Sequence, residues 1–187
     1  GLGDVYKRQD QASAFATLFT GSNPCFSGIA GDKTFDFEKE KEVSILNDPE
    51  YLGNYTKENY SPKNLFSSTI GDELKIASQG RSDVYSIAPD AESAILSAGH
   101  AANGAFWMDN TNGKWATTTY YKGIPWYVDR YNNGPESLAS RLETMVWTPT
   151  LPMEKYNAFP YVLDDLPFRY TFSEKFANCY PHLKTSP

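Results

Sequence analysis

The sequence is poor in the residue types that bind metals or form cross-links. Among its 187 residues it has two histidines, His100 and His182, and two cysteines, Cys25 and Cys179. The cysteines lie far apart in no zinc-binding pattern, so they either form one disulfide or none. A lone histidine is more often a hydrogen-bonded structural residue than a ligand, because zinc needs several convergent ligands. The sequence therefore predicts no metal site within this chain.

Basic clusters and long apolar runs are missing as well. The formal net charge is −6, and no segment concentrates lysine or arginine, which argues against a nucleic-acid backbone as the partner. No apolar stretch approaches the roughly 20 residues of a membrane span, and no signal peptide is visible. Hydrophobic residues make up 40% and charged residues 21%, a composition typical of a globular protein.

The first nine residues look foreign to the rest of the chain. Residues 1–9 include GDVYKRQ, which resembles translated adapter sequence at the start of gene models from metagenome assemblies, and we exclude them from the fold prediction. Residues 10–19 then have the composition of a helix within a domain, with no start signal of its own. Thr185–Pro187 does not complete a helix or a strand. We therefore expect an internal piece of a longer protein.

Local signals in the first half of the chain predict helices and a strand in α/β order. A small, apolar helix over Ala12–Phe19 ends at Thr20–Gly21 and leads into the glycine-rich loop TGSNPCFSGIAGD. Charged residues between Thr34 and Asn59 predict a solvated surface.

The longest predicted helix begins at Ser61–Pro62 and stops at Gly80, because serine is a good N-cap and proline suits the first helical position. Its apolar face contains Leu65, Phe66, Thr69, Ile70, Leu74 and Ala77.

The following segments predict a strand, a helix, a hairpin and a last helix. Asp83–Ala88 has the pattern of a short buried strand, and Asp90 caps a helix that runs through Leu96 to Gly99. Two β-prone runs, 104–109 and 114–121, flank an Asn-Gly turn and predict a hairpin. A helix over Pro135–Met145 with Leu138, Leu142 and Met145 on one face precedes an aromatic, proline-rich tail.

Several of these segments together resemble one family. An apolar helix leading into TGSxPxxxGIxG, then YSPKNLFSSTIGDELKIAS, AILSAGHAANGAFWMD and GKWATTTYY, is similar to the phosphate-irrepressible bacterial alkaline phosphatases and to nucleotide pyrophosphatase/phosphodiesterases. Both groups belong to the alkaline phosphatase superfamily. The resemblance covers most of Gln11 to Tyr131. It implies a partial α/β sandwich with an inserted β-hairpin cap region: residues 10–103 in the core, 104–134 in the hairpin, and 135–187 in an incomplete remainder.

The resemblance implies a site that this chain does not reproduce. The family's threonine or serine nucleophile falls on Gln11, which has no hydroxyl, and its phosphate-binding asparagine falls on Asp32. Its Lys-x-Arg clamp falls on Asp90 and Glu92, so a cationic pair has become an anionic one. Ser13 is a poor substitute nucleophile, because it lies about 200° around the helix from position 11.

The resemblance also implies two zinc ions, which lower the pKa of bound hydroxyls and neutralise phosphoryl charge. We expect none to bind this chain, because the family's ligands would lie outside it. The hairpin corresponds to the family's active-site overhang, where Trp107, Trp115, Tyr120 and Tyr121 form either a leaving-group pocket or cross-strand aromatic pairs.

Two hypotheses about the whole protein follow. In the first, it is a periplasmic or secreted metal-dependent hydrolase of small phosphomonoesters or phosphodiesters. In the second, it is a divergent, phosphate-blind member with a binding or scaffold role. Both predict that these 187 residues alone are inactive.

Overall fold

The computed structural model describes residues 10–37, 39–138 and 140–141. Two compact units divide the chain. The larger unit comprises residues up to Met108 together with Trp115–Pro125, and the smaller comprises Asp109–Lys114 together with residues from Trp126 onward. All four predicted site positions, Gln11, Asp32, Asp90 and Glu92, lie in the larger unit.

Within the described residues, the larger unit contains four α-helices and two sheets. The helices are α1 (Gln11–Thr20), α2 (Pro24–Ser27), α3 (Ile70–Ala77) and α4 (Ala91–Ala98). The strands are β1 (Lys33–Asp36), β2 (Lys41–Ser44), β3 (Gly53–Asn54), β4 (Tyr85–Ala88), β5 (Gly104–Met108) and β6 (Trp115–Thr118). A short 3-10 helix follows at Thr119–Tyr121. The smaller unit contributes α5 (Trp126–Asn133), which the sequence analysis did not predict.

A mixed four-stranded sheet organises the larger unit. Its strand order is β3-β6-β5-β4, with β4 parallel to β5 and the other pairs antiparallel. The connection from β4 to β5 runs through α4, which is the βαβ arrangement that a parallel pair requires. The predicted α/β class and the antiparallel pairing of the hairpin strands are confirmed.

Local capping signals explain where α1 and α4 begin and end. Asp90 is the N-cap of α4, and its carboxylate accepts a hydrogen bond from the backbone of Ser93 at 2.8 Å. Gly99 ends that helix with φ of 75°, and Gly21 ends α1 with φ of 67°. Positive φ favours glycine because it has no Cβ to clash. These predicted boundaries are confirmed to within a residue or two.

The hydrophobic core lies where α1 and α4 pack against the sheet. Small residues on α1 and large aliphatic residues on α4 allow the two helices to approach closely, and β5 supplies an aromatic ring. The members exposed by 3% or less include Ala12, Ala16, Ile95, Leu96, Ala105, Trp107 and Ala116. No helix among the described residues is both long and apolar enough to cross a membrane.

The helix predicted to begin at Ser61–Pro62 begins at Ile70 instead, with Thr69 as its N-cap. Tertiary hydrogen bonds hold the preceding segment in turns: Ser61 Oγ donates to Asp48 at 2.5 Å, and the Phe66 N–H donates to the carbonyl of Ser27 at 2.8 Å. These long-range bonds override a local helix signal.

The predicted apolar face of this helix is also wrong. Phe66, Ile70 and Leu74 are 75%, 70% and 51% exposed, whereas Asp72 is buried. Thr69 and Asp72, which form the capping box of this helix, are buried instead, and the Asp72 carboxylate accepts hydrogen bonds from backbone N–H groups.

The segment between Thr34 and Asn59 contains most of β1 and all of β2 and β3, three strands that the sequence analysis missed. β1 and β2 pair as an antiparallel hairpin, with Lys33 opposite Ser44 and Asp36 opposite Lys41. Most of their side chains are exposed, as the predicted solvated surface requires. Of the helix predicted over Pro135–Met145, residues 139 and 142–145 lie outside the described residues, as does Cys179, whereas Cys25 is exposed.

Candidate functional site

The first turns of α1 and α4 meet at the candidate site. Gln11 Nε2 donates to Ser93 Oγ at 2.7 Å. The Ser93 hydroxyl in turn donates to Asp90 Oδ2 at 3.0 Å, and the Ser93 N–H donates to Asp90 Oδ1. Gln11 and Asp90, which are distant in sequence, are therefore connected through one buried hydroxyl. Sequence reasoning did not identify Ser93, which appeared only as part of an apolar helix.

Asp32 lies at the same end of α1. Its Oδ1 accepts a hydrogen bond from the backbone N–H of Ala12 at 2.7 Å. Asp10 is the N-cap residue, yet its side chain makes no capping hydrogen bond. The carboxylate of Asp32 thus serves as the cap and complements the positive end of the helix dipole.

Glu92 is half-buried beside these groups. Burial raises the pKa of its carboxyl above the ordinary value, and the negative charges of Asp90, Asp32 and Glu58 raise it further. Such coupling requires the carboxylates to lie near one another. The four positions singled out in the sequence, Gln11, Asp32, Asp90 and Glu92, therefore converge in the folded chain.

Tyr60 and Glu58 belong to the same neighbourhood. Burial raises the pKa of the Tyr60 phenol well above its ordinary value, and the charges of Glu58 and Glu92 add to this effect. Sequence reasoning assigned neither residue to the site. Glu58 lies in the segment predicted as a solvated surface, and Tyr60 is the first residue of the motif YSPKNLFSSTIGDELKIAS, which indicates a family resemblance but no role for the phenol.

The electrostatic character of this site is negative. In the described part of the chain, no lysine or arginine forms an ion pair with Asp32, Asp90 or Glu92. A carboxylate is an acceptor only, so this arrangement favours cationic or hydrogen-bond-donating groups and repels a phosphate dianion.

The described residues do not fit the zinc centre implied by the resemblance. Within residues 10–37, 39–138 and 140–141, no three or more His, Cys, Asp or Glu residues come together as a metal would require. His100 pairs with Asp72 instead, with 3.3 Å between Nδ1 and Oδ2. His182 lies outside the described residues.

The aromatic residues predicted for a leaving-group pocket occupy different environments. Trp107 and Tyr121 are each only 3% exposed, and the Tyr121 hydroxyl donates to the carbonyl of Gly99 at 2.8 Å. Tyr120 and Trp115 are half-buried, and the ring of Tyr120 packs edge-on against Tyr51. Trp107 and Tyr121 thus contribute to the core, while a pocket formed by these aromatics stays a prediction.

An apolar groove borders the site on the side of Ser93. Its volume is about 880 Å³, and Phe15 and Phe19 of α1, Ile70 and Leu74 of α3 and the outer strand β4 line it. Ser93 stands in its wall, so the groove adjoins the polar cluster.

Comparison with known proteins identifies relatives that include two alkaline phosphatases. No family model matches the chain. It is 37% identical over 150 residues to alkaline phosphatase PafA of Elizabethkingia meningoseptica, covering 78% of this chain and 27% of PafA. It is 32% identical over 176 residues to alkaline phosphatase PhoV of Synechococcus elongatus, covering 92% of this chain and 31% of PhoV. A protein of Myroides odoratus named calcium-transporting ATPase is 36% identical over 149 residues, covering 78% of this chain and 27% of that protein.

Solved structures agree with the sequence matches. The crystal structure of wild-type PafA superposes with a TM-score of 0.69 at 36% identity, covering 79% of this chain and 29% of that one. A PafA variant with substitutions at a threonine, an asparagine, a lysine and an arginine gives the same TM-score. The chain spans less than a third of the length of these relatives. Over most of its own length, it resembles the alkaline phosphatase superfamily in both sequence and fold.

Proposed function

We propose that the whole protein is a divergent, phosphate-blind member of the alkaline phosphatase superfamily with a binding or scaffold role, and that this chain catalyses no phosphoester hydrolysis. The observation that carries the proposal is the hydrogen bond from the Ala12 N–H to Asp32. Free N–H groups at a helix N-terminus are a ready binding site for phosphate. Here a carboxylate of the protein itself takes one of those donors.

Charge at the site supports the same proposal. A phosphate approaching α1 would meet Asp32, Asp90 and Glu92, with no lysine or arginine paired to any of them in the described residues. Unit charges of like sign about 4 Å apart repel by about 4 kcal/mol at an effective dielectric constant near 20. Three carboxylates therefore oppose a dianion strongly.

The chain also lacks an activated nucleophile at this place. Gln11 carries an amide, and its Nε2 is bonded to Ser93. Ser13 is buried, and its hydroxyl lies 3.4 Å from the carbonyl oxygen of Asp10. Ser93 is 3% exposed and donates to Asp90, with no histidine beside it among its hydrogen-bond partners in the described residues.

The spacing of the substituted positions in the PafA variant supports this assignment of residues. Its threonine and asparagine have the same separation in sequence as Gln11 and Asp32, and its lysine and arginine have the same separation as Asp90 and Glu92. The order of the four positions along the chain is also the same.

A second candidate is a metal-dependent hydrolase of small phosphomonoesters or phosphodiesters, located in the periplasm or secreted. The identity to proteins named alkaline phosphatase favours it. In that case the metal ligands and the nucleophile come from other parts of the whole protein, and the carboxylate cluster selects an altered substrate.

One assay separates the candidates. The whole protein is purified with zinc and tested on 4-nitrophenyl phosphate and bis(4-nitrophenyl) phosphate, with and without EDTA, and its zinc content is measured. We expect no EDTA-sensitive turnover. Turnover that EDTA abolishes would overturn the first candidate, and absence of both turnover and bound zinc would overturn the second.

A restoration variant tests the residues themselves. In the whole protein, Gln11→Thr, Asp32→Asn, Asp90→Lys and Glu92→Arg together supply a hydroxyl, an amide and two cations. Calorimetric titration with inorganic phosphate should detect binding by this variant and none by the parent. Phosphate binding by the parent would contradict the proposal. The triple variant Glu50→Lys, Glu73→Arg and Glu136→Gln, which changes net charge by the same amount away from the site, controls for charge.

A further inference from the structure

A second ionisable pair lies at the opposite end of α4 from the candidate site. His100 directly follows Gly99, the C-cap residue of α4, and its Nδ1 lies 3.3 Å from Oδ2 of Asp72 in the first turn of α3. The Asp72 side chain is 6% exposed and that of His100 is 38% exposed. The pair thus joins the end of one helix to the start of another.

Asp72 collects several N–H groups on one buried carboxylate. Its Oδ1 accepts from the backbone of His100 at 2.9 Å and of Ala101 at 2.7 Å, and its Oδ2 accepts from the backbone of Thr69 at 2.9 Å. Burial opposes ionisation, but the hydrogen bonds from His100, Thr69 and Ala101 outweigh it and hold the pKa of Asp72 well below its usual range. Asp72 is therefore an ionised acceptor at neutral pH.

The imidazole of His100 faces hydrogen-bond acceptors in two segments. The Asp72 carboxylate raises the pKa of His100 most, burial lowers it, and the carbonyl groups of Leu65 and Pro62 raise it again, with a net increase. Acceptors around a ring favour the imidazolium, in which both nitrogens donate. The two carbonyl groups belong to the turn before α3, so that turn also favours the protonated ring.

The other titratable groups that face this cluster are two phenols. Tyr120 donates to the His100 carbonyl at 3.2 Å, and Tyr121 donates to the Gly99 carbonyl at 2.8 Å. Burial raises the pKa of both phenols, so both stay neutral across the physiological range. Asp48 contributes a more distant negative charge that acts on Tyr120.

Space around the pair is tight. A Cβ at position 99 would collide with Thr69 Oγ1 and Asp72 Oδ2, and Gly99 has φ of 75°, which favours glycine. The end of α4 can therefore approach the capping residues of α3 this closely because position 99 has no side chain.

The geometry points to a pH-dependent clamp, in which protonated His100 and ionised Asp72 fix the C-terminal end of α4 to the first turn of α3. Because α4 carries Asp90, Glu92 and Ser93 at its other end, the clamp positions one wall of the candidate site. The inference does not depend on what that site binds.

The sign of the pH dependence follows from the direction of each shift. A histidine whose pKa is raised on folding stabilises the fold fully below its unfolded pKa, about 6.5, and loses that contribution as pH rises through the folded pKa. An aspartate whose pKa is lowered stabilises the fold above about pH 3.9 and loses its contribution in acid. The clamp is therefore strongest between about pH 4 and 6.5, within those two values.

The decisive measurement is the titration of the histidine ring in the intact protein by NMR. We expect His100 to titrate above the ordinary value, and the backbone amides of His100 and Ala101 to shift over the same pH interval. A His100 that titrates at or below about 6.5 would overturn the clamp. The wild-type protein suffices for this test, so it does not depend on any variant that fails to fold.

Thermal unfolding provides the second readout. Raising the pH from 6 to 8 should lower the Tm of the wild type by roughly 2–4 °C, the scale of about 1 kcal/mol in a chain of this size. His100→Gln should flatten this dependence, whereas Glu50→Gln, which removes an exposed carboxylate, should leave it unchanged. An undiminished pH dependence in His100→Gln would contradict the proposal.

Discussion

The N–H of Ala12 and the carboxylate of Asp32 are joined by a hydrogen bond of 2.7 Å. The two residues are 20 positions apart. The chain leaves α1 at its C-terminal end and comes back to the N-terminal end of the same helix at Asp32. The last residue of the glycine-rich loop TGSNPCFSGIAGD therefore caps the N-terminus of α1. In a phosphate-binding protein, the same N-terminus would remain available to the ligand.

Removing this cap should destabilise the protein. We expect Asp32→Ala to lower the free energy of unfolding by about 1 kcal/mol, because the Ala12 N–H loses its partner. Urea unfolding measures the change. Asp10→Ala is the matched control: Asp10 is at the N-cap but makes no side-chain capping bond, so it should cost much less. Equal losses in both variants would contradict the role assigned to Asp32.

Glu92 should destabilise the folded chain at neutral pH. Burial and the charges of Asp90 and Asp32 raise its pKa, so the folded state binds this proton more tightly than the unfolded state does, and the fold loses stability as pH rises through the folded pKa. We expect Glu92→Gln to raise the Tm at pH 7 and to have little effect below about pH 4, where glutamate is protonated in both states.

The exposed Glu50 offers the control for that experiment. Glu50→Gln should leave the Tm close to that of the wild type at both pH values, since surface substitutions usually change stability by less than about 0.5 kcal/mol. A Glu92→Gln variant that is less stable than the wild type at pH 7 would show that its carboxylate makes a favourable contact instead.

The capping box of α3 should contribute more to the free energy of unfolding than the hydroxyl of the neighbouring Ser68. Thr69 is fully buried, and its Oγ1 accepts from the Asp72 N–H at 3.2 Å while Asp72 accepts from the Thr69 N–H. Thr69→Ala should cost about 1–2 kcal/mol, measured by chemical denaturation. Ser68→Ala, at an exposed position, should cost less than about 0.5 kcal/mol. If Ser68→Ala proved as costly, the capping box would not be the source of the loss.

Two isoleucines test where the core lies. Ile95 of α4 is fully buried, whereas Ile76 of α3 is 68% exposed. Ile95→Ala should cost about 2–5 kcal/mol because it leaves a cavity, and Ile76→Ala should be nearly neutral. Comparing the two midpoints in urea checks the assignment, and a large loss from Ile76→Ala would mean that α3 buries this face in solution.

The sequence predicted those parts of the fold that depend on local signals. Asp90 and Gly99 bound α4 as expected because their preferences for a cap and for positive φ act within one turn. The β5–β6 pairing likewise follows from an Asn-Gly turn between β-prone runs. By contrast, Ser61 and Pro62 have the right types for a helix start, but the bond from Ser61 to Asp48 holds them in a turn.

The candidate site, like the fold, could be predicted from the sequence only in part. The residue types at Gln11, Asp32, Asp90 and Glu92, positions that a family resemblance picks out, already predict that a phosphate would meet an amide and three carboxylates. The bonds from Gln11 to Ser93 and from Ala12 to Asp32 required the tertiary structure. The same holds for Glu58 and Tyr60, since the motif that begins at Tyr60 assigns it no role in the site, and for the pairing of Asp72 with His100. Contacts between residues distant in sequence are set by how helices pack on the sheet, so the local preferences of the sequence do not predict them.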